Sequence, residues 1–322
     1  MTIKSRPVLI AHRGASGYLP EHTLAAKALG FAMGADFLEQ DVVATRDDEL
    51  LVMHDIHVDR VSNVAELFPH RARDDSRFYV RDFDLDELRQ LNIFERVNAD
   101  GSAVYPGRFP ARTGNFRVNT LREEIEFIQA LNQSAGRTVG IYPEIKRPAW
   151  HLSEGVDIAP QMLALLHDYG YSNPDDPIYL QCFDAGELVR IREQLGSRLR
   201  LVQLIGDNSW GESGDDYVSL RKPAGLQRLA QTVDAIGPWV NQCFALDERG
   251  RAPTSSGLVE QAQESGLEVH PYTIRLDSLP DGFPDLASLV HFCTAVLQVD
   301  GLFTDFPDRV GQLLRHQTAA VS

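Results

Sequence analysis

Short apolar runs rich in β-branched residues recur at 8–12, 37–43, 139–145, 178–183, 200–205, 235–240, 268–274 and 301–304. Between most of them, apolar residues return every three to four positions, at 22–33, 120–133, 158–169, 185–195, 224–233, 256–265 and 286–298. That period marks one buried face of a helix, whereas the short runs read as strands buried on both sides. Gly34, Gly170, Gly196 and Gly266 follow the last periodic residue of four of these helices, where a left-handed residue ends a helix at little cost. Eight strands alternating with helices predict a (β/α)8 TIM barrel.

One stretch breaks the alternation. A minimal barrel needs about 250 residues, and the surplus falls at 57–117, which is rich in charge and turn formers yet carries Phe68, Phe78, Tyr79, Phe94, Tyr105 and Phe109. A solvated loop would not keep so many aromatics. The expectation is a single barrel domain over 1–322 with a small subdomain at 57–117, inserted after a hairpin at the second strand and covering one end of the barrel. The arms of that hairpin are 41–46 and 50–54, joined by the turn-like Arg46-Asp47-Asp48-Glu49.

Function in such a barrel gathers at the carboxyl ends of the strands, and polar or charged residues stand there: His12 after VLIA, Glu144 near the end of TVGIYPEIK, Gln181 in IYLQCFD and Asp305 after GLFT. Glu39 and Asp41 are two apart on one strand, so the pleat turns both to the same face. Two carboxylates in a barrel mouth repel unless a cation lies between them. With Glu144 they offer three oxygen donors, which suit Ca²⁺ or Mg²⁺ and not zinc; two surface carboxylates on an edge strand would have the same spacing. The hairpin returns His54 beside Glu39 and Asp41, at the mouth that His12 also faces. Two histidines can divide general acid and general base work near neutral pH. Arg13 has a fork that matches phosphate oxygens and Lys146 is a point charge two residues after Glu144, although either could serve only to neutralise nearby carboxylates.

Charge and composition narrow the partners. A formal net charge of -15 in 322 residues argues against nucleic acid or an anionic membrane, because phosphate backbones are held by clustered Lys and Arg. No apolar stretch approaches the roughly 20 residues that cross a bilayer. The opening Met-Thr-Ile-Lys-Ser-Arg-Pro has no signal-peptide core, so as written the chain reads as cytoplasmic. Cys182, Cys243 and Cys293 are odd in number and widely spaced, the pattern of buried small hydrophobes more than of a disulfide.

HRGASGYLPEHT at 12–23, LEQD at 38–41, HD at 54–55, YPEIK at 142–146, LQCFD at 180–184, HPYTIR at 270–275 and GLFTDFPD at 301–308 together resemble the bacterial glycerophosphodiester phosphodiesterases, most closely their longer, periplasmic type. The likeness runs in order through nearly the whole chain. It implies hydrolysis of small glycerophosphodiesters, such as glycerophosphocholine and glycerophosphoethanolamine, to sn-glycerol 3-phosphate and an alcohol. It implies a divalent metal, Ca²⁺ before Mg²⁺, held by Glu39, Asp41 and Glu144, with His12 and His54 as the acid–base pair. Arg13 and Lys146 would assist at the phosphate and Glu21 would stand near the metal and His12. Gln181, Phe183 and Phe303 would line the cleft. His22 stands where the family commonly has Asn, and Tyr272 where it often has Trp. By the same likeness the compartment is periplasmic, if a leader precedes this sequence. Two other readings share the architecture: a cyclising phosphodiesterase related to the phospholipase D toxins, and a non-enzymatic binding protein. Intact histidines and carboxylates speak against the last, and the long insertion against the first. The sequence leaves the oligomeric state open.

Overall fold

The computed structural model describes residues 6–247, 250 and 253–319; the first five residues, read above as part of an opening without a signal-peptide core, lie outside them. Among the described residues eleven strands form: β1 (Val8–Ala11), β2 (Phe37–Ala44), β3 (Leu50–Val52), β4 (Gly140–Ile145), β5 (Tyr179–Cys182), β6 (Arg200–Ile205), β7 (Ala235–Pro238), β8 (Phe244–Leu246), β9 (Pro253–Ser255), β10 (Glu268–Val269) and β11 (Gly301–Thr304). Eight of them lie side by side in the order β10-β7-β6-β5-β4-β2-β1-β11, every pair parallel. Backbone hydrogen bonds bring the two ends of this sheet together: Asp300 N to Val269 O at 3.0 Å, Phe303 N to Pro271 O at 3.1 Å and Ile274 N to Phe303 O at 2.8 Å. The result is the expected TIM barrel. The strand foreseen at 268–274 is regular only over Glu268–Val269, and beyond Val269 it touches its neighbours through single bridges, Trp239 to Tyr272 and Ile274 to Thr304.

Alternation along the strands decides what fills the barrel. Phe37 on β2, Tyr142 on β4, Tyr179 on β5, Val202 on β6 and Phe303 on β11 join Ile10 and Ala235 in a compact apolar cluster. Tyr142 stacks on Tyr179 with ring centroids 5.0 Å apart. Their immediate neighbours Leu38, Ile141, Leu180, Leu201 and Leu302 belong to a larger core, shared with the buried faces of the surrounding helices. Two residues further along β2, β4 and β5, on the side of the strand that carries the inner cluster, stand Glu39, Glu144 and Gln181. The interior is thus apolar toward the strands' amino ends and charged toward their carboxyl ends.

The hairpin forms as the sequence predicts, with β3 antiparallel to β2 and Val42 opposite Val52. Beyond it, residues 57–117 hold only two one-turn helices, Val64–Leu67 and Leu85–Leu88, and a 3-10 turn at Val80–Asp82. Phe78, Val80, Phe83, Leu88, Leu91 and Ile93 nevertheless make a second core with Val43 and Leu51 of the hairpin. The helix foreseen at 286–298 runs regularly over Leu286–His291 and then widens into a π turn at Phe292–Val296. Cys182, Cys243 and Cys293 are buried and free. Among the described residues no helix is long and apolar enough to cross a membrane.

Candidate active site at the carboxyl ends of the strands

A cavity of about 310 Å³ opens at the charged end of the barrel, and His12, Arg13, Glu39, Asp41, His54, Glu144, Lys146, Gln181, Phe183, Tyr272 and Phe303 all line it. Glu21 instead borders an adjoining cavity of about 190 Å³, which shares His12, Arg13 and His54 with the first and is also lined by Arg96, Arg108 and Asp305. Every residue given a catalytic, metal or substrate role in the sequence therefore lines one of these two adjoining spaces, and His22 lies outside both.

The turn after β1 shapes the entrance. Arg13 has φ +58° and Gly14 φ +88°; a Cβ at Gly14 would lie 2.6 Å from the carbonyl carbon of Ala26. Only glycine fits that approach. The turn aims the backbone N–H of Arg13 at Glu39 Oε2, 2.6 Å away, while its side chain donates to Glu21 at 2.8 Å and lies 3.5 Å from Asp41.

Each histidine is held through Nδ1. His12 Nδ1 lies 2.6 Å from Asp305 Oδ1, and His54 Nδ1 lies 2.6 Å from Asp55 Oδ1. Burial, reinforced by Arg13, lowers the His12 pKa to about 4, and Asp305 opposes that shift only in part. His54 is also lowered, by burial and by the charges of Arg13 and Lys146. Burial works against ionisation of Asp305 too, but Arg275, His12 and Arg108 together hold it well below the usual carboxylate range.

Glu39 and Asp41 point the same way from β2, and Asp41 is in register with Glu144 on β4. Glu39 and Glu144 are pushed well above the ordinary carboxylate range, in both cases by burial first and with Asp41 adding repulsion. Asp41 stays well below its ordinary value: burial opposes ionisation, but Lys146 and the neighbouring histidines outweigh it. Lys146 Nζ is 2.9 Å from Glu144 and 3.9 Å from Asp41. Carboxylates that resist ionisation in a confined space fit a divalent cation, which would relieve the repulsion. The tightest group of potential ligand atoms, all within 4.8 Å of one another, comes from His22, Glu39 and Asp41, and these three could hold a metal ion. His22 Nε2 is 2.8 Å from Asp41 Oδ2, and burial lowers its pKa to about 3.

Comparison with known proteins identifies the family. The sequence profile of the glycerophosphoryl diester phosphodiesterase family matches residues 12–309. The chain belongs to that family. A glycerophosphodiester phosphodiesterase of Haemophilus influenzae is 41% identical over 97% of this chain and 91% of its own length, and one of Treponema pallidum is 37% identical over 94% and 90%. Among solved structures, a phosphodiesterase from Oleispira antarctica in complex with the product sn-glycerol-3-phosphate has a TM-score of 0.62 at 19% identity, covering 96% of this chain and 97% of that one. A glycerophosphodiester phosphodiesterase from Agrobacterium tumefaciens has a TM-score of 0.60 at 20% identity, covering 95% and 99%.

Several residues of this family member's site escaped sequence reasoning. His22 was visible as a departure from the family pattern, but nothing local ties it to Asp41. Asp305 lay in a recognised motif, yet its contact with His12 spans 293 residues. Trp210, Glu212 and Trp239 complete the cavity wall from the loops after β6 and β7, with the two indole rings 5.2 Å apart. No local pattern marked them: a Cβ at Gly206 would meet the Trp210 ring at 2.8 Å, a closeness that exists only in the folded loop.

Proposed function

We propose that this family member hydrolyses small glycerophosphodiesters, glycerophosphocholine and glycerophosphoethanolamine among them, to sn-glycerol 3-phosphate and the free alcohol. The observation that carries the reading is the pair of histidines at one cavity, each with Nδ1 engaged by a carboxylate, which leaves Nε2 as the nitrogen for proton transfer. One histidine takes the proton of the attacking hydroxyl and the other protonates the departing alcohol. Arg13 and Lys146 hold phosphoryl oxygens, Arg13 through its fork and Lys146 as a point charge. Gln181, Phe183, Tyr272 and Phe303 shape the wall against which the organic part of the substrate rests, and Glu21 fixes Arg13.

Glu39, Asp41 and Glu144 are the residues we assign to a divalent cation, Ca²⁺ before Mg²⁺, with His22 hydrogen-bonded to Asp41. A cation there would neutralise phosphate charge and make a nearby hydroxyl more acidic. Attack by the neighbouring glycerol hydroxyl followed by water opening of a cyclic phosphate, and direct attack by water, lead to the same products and use the same two histidines. A cyclic phosphate trapped in a rapid-quench single turnover supports the first route; none at any time point supports the second.

Residues 57–117 act as a subdomain that narrows the mouth, through Arg96, Tyr105 and Arg108 at the smaller cavity, and this favours deacylated diesters over intact lipid. The deciding assay is release of glycerol 3-phosphate from glycerophosphocholine with Ca²⁺, with Mg²⁺ and with chelator, for the unaltered chain and His12→Ala. Metal-dependent release that disappears in the variant is expected. Release of a cyclic phosphate as the final product would replace hydrolysis by cyclisation, and no turnover with any metal would point to a binding protein.

A further inference from the structure

Two arginines of the 57–117 segment reach the carboxylates that hold the histidines. Arg96 Nη1 donates to Asp55 Oδ2 at 2.5 Å, while its Nη2 donates to Glu21 Oε1, also at 2.5 Å. Asp55 Oδ1 is the partner of His54. Arg108 Nη2 donates to Asp305 Oδ2 at 2.7 Å, and Asp305 Oδ1 is the partner of His12. Each histidine is thus backed by a carboxylate whose second oxygen is occupied by a guanidinium from the same inserted segment.

We infer that Arg96 and Arg108 are positioning residues, through which the inserted segment fixes both histidines in the ring orientation and tautomer the reaction needs. This rests on the proposed roles of His12 and His54. A carboxylate with one oxygen on an imidazole Nδ1 and the other free can rotate, and the ring follows; a charge-assisted bond to the second oxygen removes that freedom. Both arginines are themselves restrained. Arg96 is anchored by Glu21, which Arg13 also holds. Arg108 lies over the Tyr105 ring at 3.7 Å and bonds Asp277 at 2.8 Å and 3.1 Å. Their side chains are 18% and 5% exposed, so water replaces neither bond readily. Solubility or general surface charge does not explain two buried guanidinium groups that end on these two carboxylates.

The arrangement is unequal, and the inequality is testable. Asp305 also accepts from Arg275 Nε at 2.7 Å, whereas the side-chain hydrogen bonds to Asp55 among the described residues come from His54 and Arg96. Removing Arg96 therefore frees Asp55, while removing Arg108 leaves Asp305 one clamp.

The experiment compares steady-state turnover of glycerophosphocholine by Arg96→Met, Arg108→Met, their Lys counterparts, Asp55→Asn, Asp305→Asn and the Arg/Asp double variants, with thermal melts of each and His12→Ala and His54→Ala as references. Arg96→Met is expected to lower kcat roughly 10–100-fold with KM unchanged, Arg108→Met by a smaller factor, and each loss to vanish in the background of its own Asp→Asn variant. Lysine should restore Arg108 in part and Arg96 hardly at all, since one ammonium does not span Glu21 and Asp55 as a fork does. Should Arg96→Met fail to fold, Arg96→Lys carries the comparison. Losses that multiply fully with the Asp variants, or that appear in KM or melting temperature alone, overturn the inference. Inactive histidine variants beside unaffected arginine variants sink the positioning role only; active histidine variants sink the underlying reading.

Discussion

Glu95 is 4% exposed and its Oε2 is buried with no hydrogen-bond partner. Burial first, and then repulsion from Glu21, raise its pKa from 4.5 to about 8, with Arg108 opposing the shift. A carboxyl group that binds its proton more tightly in the folded chain stabilises the fold below its unfolded pKa, and that contribution is lost as pH rises through the folded value. The window therefore runs from about 4.5 to about 8. Glu95→Gln keeps the shape and removes the charge, so the variant is expected to gain roughly 3–5 kcal/mol over the unaltered chain at pH 8.5 and little at pH 4.5. Urea unfolding at the two pH values measures it; an equal effect at both would assign the change to packing. The buried pair Lys27 and Glu124, 2.6 Å apart and fully enclosed, shows the opposite solution, in which burial is tolerated because the partner is present.

At the scale of elements, the turn from β1 into the helix Leu24–Ala32 is where motif and geometry meet most closely. Gly14 and Gly34 both have φ near +90°, but a Cβ at Gly14 would strike the Ala26 backbone, whereas Gly34 faces open space. Gly34→Ala should cost only the left-handed strain, about 1–2 kcal/mol, with activity retained. Gly14→Ala adds a steric conflict with backbone and should cost roughly 2–5 kcal/mol, and by shifting Arg13 away from Glu39 it should also lower turnover. Equal costs in urea melts would mean that the turn relaxes. The same comparison shows what sequence can carry. The eight strands, the hairpin and most helices were legible because burial on a regular element leaves a period of two or 3.6, and the strand-end residues followed from the barrel. Arg96 and Arg108 were not, because 57–117 has little regular structure to impose a period. Nor was Asp305 readable as the partner of His12, since strand closure brings together residues from opposite ends of the chain.

For the molecule as a whole, the candidate metal site sets function against stability. The barrel interior changes from stacked tyrosines to Glu39, Asp41 and Glu144 within two residues of strand, and burial raises two of these three carboxylates well above their ordinary range. In the metal-free protein that group is a liability: ionising it costs folding free energy, and protonating it spoils the oxygen donors. A bound divalent cation reverses the sign, since an ion that binds only the folded state stabilises by about 2.7 kcal/mol at a hundredfold excess over its Kd. Calcium or magnesium should therefore raise the melting temperature by several degrees, and chelator should remove the gain. Glu39→Gln separates the two effects. Without the buried carboxylate the metal-free protein should melt higher than the unaltered one, yet respond little to either ion and turn over slowly. Scanning calorimetry of both chains with chelator, Ca²⁺ and Mg²⁺ provides the test: a variant that melts lower than the parent without metal would mean that Glu39 is needed for packing. One that still gains several degrees with calcium would move the cation to Asp41, Glu144 and His22.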